Sequence, residues 1–94
     1  MTWEAEASSR LPELFEEWLR RPVVRVEAEG GDFALRSGDL LLIIEVRGSD
    51  DIGTLDRAAS NLPLATPKRI PLVAVPYMGP KARAWAAERG LLWV

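Results

Sequence analysis

The fold of this chain is decided by the stretch Gly31–Arg47, which reads GDFALRSGDLLLIIEVR. It contains a short segment, Asp32–Arg36, then turn-forming residues at Ser37–Asp39, then the uninterrupted apolar run Leu40–Ile44. Glycine and aspartate favour tight turns, and a short apolar run bounded by turns is typical of a strand that is covered on both faces. The stretch therefore predicts a β-hairpin whose second strand lies in the middle of a sheet.

On the N-terminal side of this hairpin, the sequence predicts a helix and a further strand. The clearest part of the helix spans about Leu11–Arg20, because apolar residues recur there at intervals of three and four, and Pro12 suits its first turn. Residues 1–9 either extend this helix or fray. Pro22 ends the helix, and the β-branched segment Val23–Ala28 alternates between two faces as a strand does. Gly30–Gly31 then provides a turn into the hairpin.

On the C-terminal side, helix and strand signals alternate. In chain order they are a helix over Ile52–Leu62, a strand over Ile70–Val75, a helix from Gly79 to Gly90 and a strand over Leu91–Val94. Such alternation favours parallel strands joined by right-handed crossovers. The predicted order is thus α-β-β-β-α-β-α-β. We expect an α/β fold in residues 1–94, with a mixed sheet and helices on both faces.

Composition limits the chemistry that the chain can perform. Its 94 residues include no Cys and no His. Thiolate chemistry is thereby excluded, and the commonest general base and transition-metal ligand is missing. Any metal would be held by oxygen, which favours magnesium or manganese.

Charge and hydropathy patterning bear on partners and location. The net charge of −2 gives no sign of broad affinity for nucleic acids or membranes. The sequence shows neither a signal peptide nor an apolar run of membrane-spanning length, so we expect a cytoplasmic protein. Ten of the twelve cations are Arg and Gln is absent, a composition that fits a thermophilic or a GC-rich source.

The hairpin also brings charged residues together at one end. A turn centred on Gly38 makes Asp32 and Glu45 neighbours, although periodicity alone leaves open whether they share a face. Arg47 shares a strand face with Glu45 because side chains alternate with a period of two. Asp39 lies about 20 Å from Glu45 along the strand, too distant to bind the same ion.

The pattern Gly31-Asp32…Glu45-Val46-Arg47, with its flanking helices and strands, resembles the PD-(D/E)XK nuclease superfamily. The similarity spans Leu11–Val75, about 65 residues, and implies a restriction-endonuclease-like core. In that family the two acidic residues bind magnesium, the lysine positions or activates the attacking water, and a Glu of the first helix often joins the metal ligands.

The resemblance implies specific roles for residues of this chain. Asp32 and Glu45 would bind Mg²⁺ or Mn²⁺, with Glu17 or Glu16 as the ligand from the helix, and Arg47 takes the lysine position. Arginine keeps its proton near neutral pH and presents a planar fork, so it can hold phosphate but activates water poorly. The resemblance thus implies a nuclease-like domain with Asp32, Glu45 and Arg47 in the catalytic positions and weakened or lost hydrolysis.

These residues are compatible with three functions. The first is a magnesium-dependent nuclease, and the second is a non-catalytic nuclease-like module of a bacterial DNA-binding regulator or defence protein. The third is a small interaction domain that forms a homodimer through an exposed Trp or a sheet edge. DNA and a second copy of the chain are therefore the predicted partners, and a membrane is not.

The same residues also have simpler interpretations, in which they have a structural role or are only solvated. Glu45 and Arg47 can form a surface ion pair worth under about 1 kcal/mol, and Asp32 can cap a turn. Arg57 and Asn61 lie one helical turn apart on the polar face of their helix, where they either face a substrate or are solvated.

Overall fold

The structure, a computed structural model that describes residues 2–27 and 30–94, contains three helices and four strands in that part of the chain. In chain order the elements are α1 (Trp3–Leu19), β1 (Val24–Val26), β2 (Phe33–Ser37), β3 (Leu40–Val46), α2 (Ile52–Ser60), β4 (Arg69–Ala74) and α3 (Pro80–Arg89). The strands form one sheet in the order β1-β2-β3-β4. The first three are antiparallel, and β4 lies parallel to β3. The predicted mixed α/β fold is confirmed.

The hairpin forms around the turn that the sequence indicates. Ser37 pairs with Leu40, which leaves Gly38 and Asp39 as a two-residue loop. Gly38 has φ +62°, as expected for the glycine in the first central position of a type II′ turn. The register follows from this loop and places Phe33 opposite Ile44.

Helices cover both faces of the sheet, as predicted. On one face α1 packs on the three longer strands through a core of large apolar side chains, which includes Leu11, Phe15, Phe33, Leu35, Leu42, Ile44 and Leu72. On the other face α2 and α3 pack on the end of β4 through Leu55, Ala58, Val73, Val75, Ala82 and Ala86. The run Leu40–Ile44 therefore belongs to a central strand, between β2 and β4.

The first helix is longer than its sequence pattern predicts. It begins at Trp3, where the hydroxyl of Thr2 accepts a hydrogen bond from the amide of Ala5 at 3.3 Å. Pro12 lies inside the helix, so its placement in the first turn is wrong. Packing of the N-terminal turns against the sheet compensates for the backbone hydrogen bond that proline removes. In the described part of the chain, no helix is long and apolar enough to cross a membrane.

Two predicted strands differ in extent. β1 covers only Val24–Val26, and Ala28, the predicted end of this strand, lies outside the described residues. The C-terminal segment Leu91–Val94 runs beside β4 and forms a single parallel bridge between Val73 and Trp93. Its backbone donates from Val94 to Val73 at 2.9 Å, so it extends the sheet without forming a full strand.

The end of α1 carries a stability prediction. Arg20 caps the helix in the left-handed conformation, with φ +54°, which costs a residue with a Cβ about 1 kcal/mol. We expect Arg20→Gly to raise the free energy of unfolding by about 1 kcal/mol, because glycine adopts this conformation without the steric cost. Urea denaturation followed by tryptophan fluorescence measures the change. Arg21→Gly is the matched control, since the φ of Arg21 is not positive, and an equal gain there would contradict the explanation.

Candidate functional site

The predicted charged residues meet where β2 begins and β3 ends. The pairing of Phe33 with Ile44 continues so that Asp32 lies beside the end of β3. The amide of Asp32 donates to the carbonyl of Ile44 at 2.8 Å. The structure therefore brings Asp32, Glu45 and Arg47 together, as the predicted hairpin register and the alternation of side chains along the strand imply.

Glu45 is the most unusual of the three because it is buried. Only 4% of the residue is exposed, and it pairs with Val73 of β4 on the face that α2 and α3 cover. Burial raises the pKa of the Glu45 carboxyl, as does the charge of Asp32, while the positive charge of Arg47, in close contact with it, acts in the opposite direction. The alternative interpretation of Glu45 and Arg47 as a surface ion pair is therefore wrong, because the acid is withdrawn from solvent.

Arg47 connects the two acids through its guanidinium group. Its Nη2 lies 2.5 Å from Oε2 of Glu45, and its Nη1 lies 3.2 Å from Oδ2 of Asp32. Nη1 also donates to the carbonyl of Val46 at 2.8 Å. Oε2 of Glu45 receives no aligned hydrogen bond from the described residues, so the attraction between Glu45 and Arg47 is mainly Coulombic. One side chain thus supplies the positive charge for both carboxylates.

Asp32 completes the ladder of hydrogen bonds between the strands. Its Oδ2 accepts a hydrogen bond from the amide of Val46 at 2.7 Å, so the carboxylate takes the place of a backbone carbonyl at the end of β3. Its side chain is 48% exposed. Asp32 therefore has a structural role toward β3 and still presents an oxygen to solvent.

The glycine before Asp32 is required by the close approach of β3. Gly31 has φ +73°, and a Cβ atom at this position would lie 2.9 Å from the carbonyl oxygen of Ile44. An L-residue side chain does not fit there without a shift of the backbone. Gly31 thereby determines how closely Asp32 approaches the end of β3.

The ligand predicted from α1 lies elsewhere. Glu17 lines a shallow cleft with Arg10, Glu13 and Leu14, and neither Glu16 nor Glu17 shares a cleft with Asp32. A different acid, Glu4, does so, in a cleft of about 430 Å³ that also contains Ser8, Arg25, Phe33 and Val46. Glu4 was not among the predicted ligands, because the clear apolar periodicity of α1 begins only at Leu11. The N-cap signal of Thr2 would have placed the start of the helix correctly.

The residues present do not fit a divalent ion in this arrangement. Among residues 2–27 and 30–94, no three acidic residues are grouped closely enough to hold a metal ion. In addition, the guanidinium of Arg47 already contacts both predicted ligands. A metal ion bound by Asp32 and Glu45 would have to displace it.

The two predicted substrate-binding residues lie at the far end of α2. Arg57 is in its last turn, and Asn61 follows as the C-cap residue, both exposed. The guanidinium of Arg57 lies near Gly53, one turn earlier on α2. No hydrogen bond or ion pair within the described residues connects either side chain with the Asp32–Arg47 group. Their role in substrate binding stays a prediction.

Exposed aromatic residues bear on the predicted homodimer. Trp18 on α1 is 58% exposed, and Trp93 beside β4 is 41% exposed. Such side chains are enriched at interfaces, as the predicted homodimer requires. The homodimer itself stays a prediction.

Comparison of the chain with protein-family models, curated proteins and solved structures gave no match.

Proposed function

We propose that this chain is a non-catalytic binding module with a restriction-endonuclease-like core, in which Arg47 takes over the role of the metal. The observation that supports this most strongly is the contact of one guanidinium with both predicted metal ligands, at 3.2 Å from Asp32 and 2.5 Å from Glu45. Two carboxylates close together need a compensating positive charge. Arg47 provides it from within the chain.

The chemistry of arginine explains why such a site binds and does not hydrolyse. An arginine guanidinium keeps its proton near neutral pH, so it cannot accept a proton from water. One carboxylate oxygen of Asp32 accepts the amide of Val46 and also contacts Arg47. The residue in the lysine position therefore activates water poorly, and the acid beside it already takes part in the structure of the sheet.

One observation favours a second candidate, the magnesium- or manganese-dependent nuclease. Asp32 is half exposed, and Oε2 of Glu45 lacks an aligned donor among the described residues. If Arg47 rotated into solvent, both carboxylates would offer oxygen atoms of the type that hard cations prefer. The two candidates therefore differ in whether a divalent ion can displace the arginine.

Calorimetric titration with Mg²⁺ and Mn²⁺ distinguishes them. We expect the wild-type protein to bind both ions too weakly for the titration to detect. Arg47→Ala should bind Mn²⁺ at least about fivefold more tightly than the wild-type protein, because a unit charge about 4 Å away is worth about 1 kcal/mol even in bulk water. Removal of Glu45 as well, in Arg47→Ala/Glu45→Ala, should abolish the gain, and circular dichroism verifies that each variant is folded.

The proposal would be wrong if the wild-type protein bound either ion stoichiometrically and lost it in Glu45→Ala. Cleavage of single- or double-stranded DNA by the wild-type protein in Mn²⁺, absent from Asp32→Asn, would establish the nuclease instead. Both measurements use the same purified protein, so contamination by a foreign nuclease is recognised by its persistence in the variants.

A further inference from the structure

Two arginines lie in one row across the sheet, at the end opposite to Asp32 and Glu45. Strand pairing places Val24 opposite Arg36, Arg36 opposite Leu41, and Leu41 opposite Arg69. Residues directly opposite each other in neighbouring strands point to the same face. These four residues therefore form a continuous row, the cationic row, with Leu41 between its two arginines.

The arginines of the cationic row have no carboxylate partner among the described residues. The ion pairs of that part of the chain include neither Arg36 nor Arg69. The nearby pair of Lys68 and Asp39 has a separation of 3.6 Å, and both side chains are about three-quarters exposed. A further cation, Arg21, has its Nη1 beside the turn at Gly38. Positive charge is thus concentrated at this end of the sheet although the chain as a whole carries −2.

The helices leave this part of the sheet open. The cationic row shares a face with Ile43 and Glu45, but α2 and α3 pack around Val73 and Val75 near the opposite end of β4. Val24 is 55% exposed, and Arg36 is also exposed. A partner can therefore approach the cationic row without displacement of a helix.

We propose that the cationic row binds the phosphate backbone of a nucleic acid independently of its base sequence. Arg36 and Arg69 lie two strand spacings apart, about 10 Å, so their two guanidinium groups can contact separate phosphates of a nucleic acid. The planar guanidinium fork matches phosphate oxygens in bidentate geometry. The cationic row has no aromatic side chain on which a base could stack, so it binds phosphates. A nucleic acid is thus the partner of the binding module proposed above, on which this inference rests.

The experiment measures the salt dependence of binding to a short fluorescein-labelled DNA duplex of arbitrary sequence by fluorescence anisotropy. The variant is Arg36→Gln/Arg69→Gln. The control, Arg10→Gln/Arg83→Gln, changes the net charge equally but acts on α1 and α3, away from the cationic row. All four side chains are replaced by an uncharged residue of similar length, and circular dichroism verifies folding.

We expect the wild-type protein and the control to show the same slope of log K against log salt concentration. The slope of the cationic-row variant should be smaller in magnitude by about 2, about one for each phosphate that the variant no longer neutralises. Between about 50 mM and 200 mM salt, the wild-type protein should therefore lose about tenfold more affinity than the variant.

Three results would overturn the proposal: equal slopes for variant and control, no binding of the duplex by the wild-type protein at about 50 mM salt, or tighter binding of a poly-glutamate peptide than of the duplex. The last result would identify an acidic protein segment as the partner. Failure here is distinguishable from failure of the proposed function, because the metal titrations report on Arg47 and not on the cationic row.

Discussion

Arg47→Met is expected to lower the free energy of unfolding by about 3 kcal/mol at neutral pH, near the lower limit measured when one partner of a buried ion pair is removed. The substitution leaves Glu45, which is 4% exposed, without its counter-charge and next to the charge of Asp32. The side chain of Arg47 is itself 25% exposed, so water can replace part of its effect. Methionine keeps most of the side-chain volume, which makes the lost charge the main change.

The pH dependence of this loss identifies its cause. The pKa of Glu45 is raised in the folded protein above its ordinary value of 4.5, so the folded state binds this proton more tightly than the unfolded state. Proton binding at Glu45 therefore favours folding, and its contribution decreases as pH rises through 4.5 and then through the raised folded pKa. Arg47→Met raises that pKa further, so its destabilisation should be small near pH 4 and large near pH 8.

Two variants serve as controls for Arg47→Met in urea denaturation. Arg10→Met breaks an exposed pair with Glu6, at 3.0 Å, and should cost under about 0.5 kcal/mol. In a Glu45→Gln background, Arg47→Met should lose its pH dependence, because no buried carboxylate remains to titrate. An equal loss of stability at both pH values would attribute the effect to packing and contradict the charge argument.

Gly31→Ala is expected to destabilise the protein by about 2–3 kcal/mol, the sum of a left-handed backbone and a close contact. The added Cβ would lie 2.9 Å from the carbonyl oxygen of Ile44 and 3.0 Å from the side chain of Ile43. That oxygen cannot retreat easily, because it accepts the amide of Asp32 at 2.8 Å. The strain should also loosen the bond between Asp32 and the amide of Val46.

Substitutions at two other glycines separate the cost of the left-handed backbone from the cost of the close contact. Gly90 has φ +64° but open space around a Cβ, so Gly90→Ala should cost about 1 kcal/mol from backbone conformation alone. Gly48 has neither a left-handed φ nor a close neighbour, and Gly48→Ala should change stability by less than about 1 kcal/mol. If Gly31→Ala cost no more than Gly90→Ala in urea denaturation, the close approach to Ile44 would be contradicted.

Local patterns of sequence predicted most of the fold because they act over short distances. Gly38 in a two-residue loop and the apolar run from Leu40 fixed the register of the hairpin, so Asp32 and Glu45 were correctly predicted as neighbours. The apolar periodicity of α1 becomes clear only at Leu11, whereas the helix begins at Trp3, and the sequence left open whether residues 1–9 extend it. There the helix depends on packing of Trp3 and Ala7 against a sheet that forms from residues far along the chain.

The sequence predicted which residues form the candidate site, but it did not predict the burial and the charge interactions of those residues. Period-two alternation placed Arg47 on the same strand face as Glu45, but it does not say how deeply a carboxylate is buried. Burial of Glu45 depends on β4, α2 and α3, which follow it in sequence. The same holds for Glu17, whose distance from Asp32 depends on the direction in which α1 crosses the sheet.

By itself, the sequence determined the order of the elements, the hairpin and the absence of thiol and imidazole chemistry. These properties depend on residue identity, on spacing and on turns of a few residues. Only the tertiary structure decided that Arg47 bridges both acids, that Gly31 must have no side chain and that Arg36 and Arg69 line one open face. These depend on distances between strands, since electrostatic attraction and steric contact act through space and not along the chain.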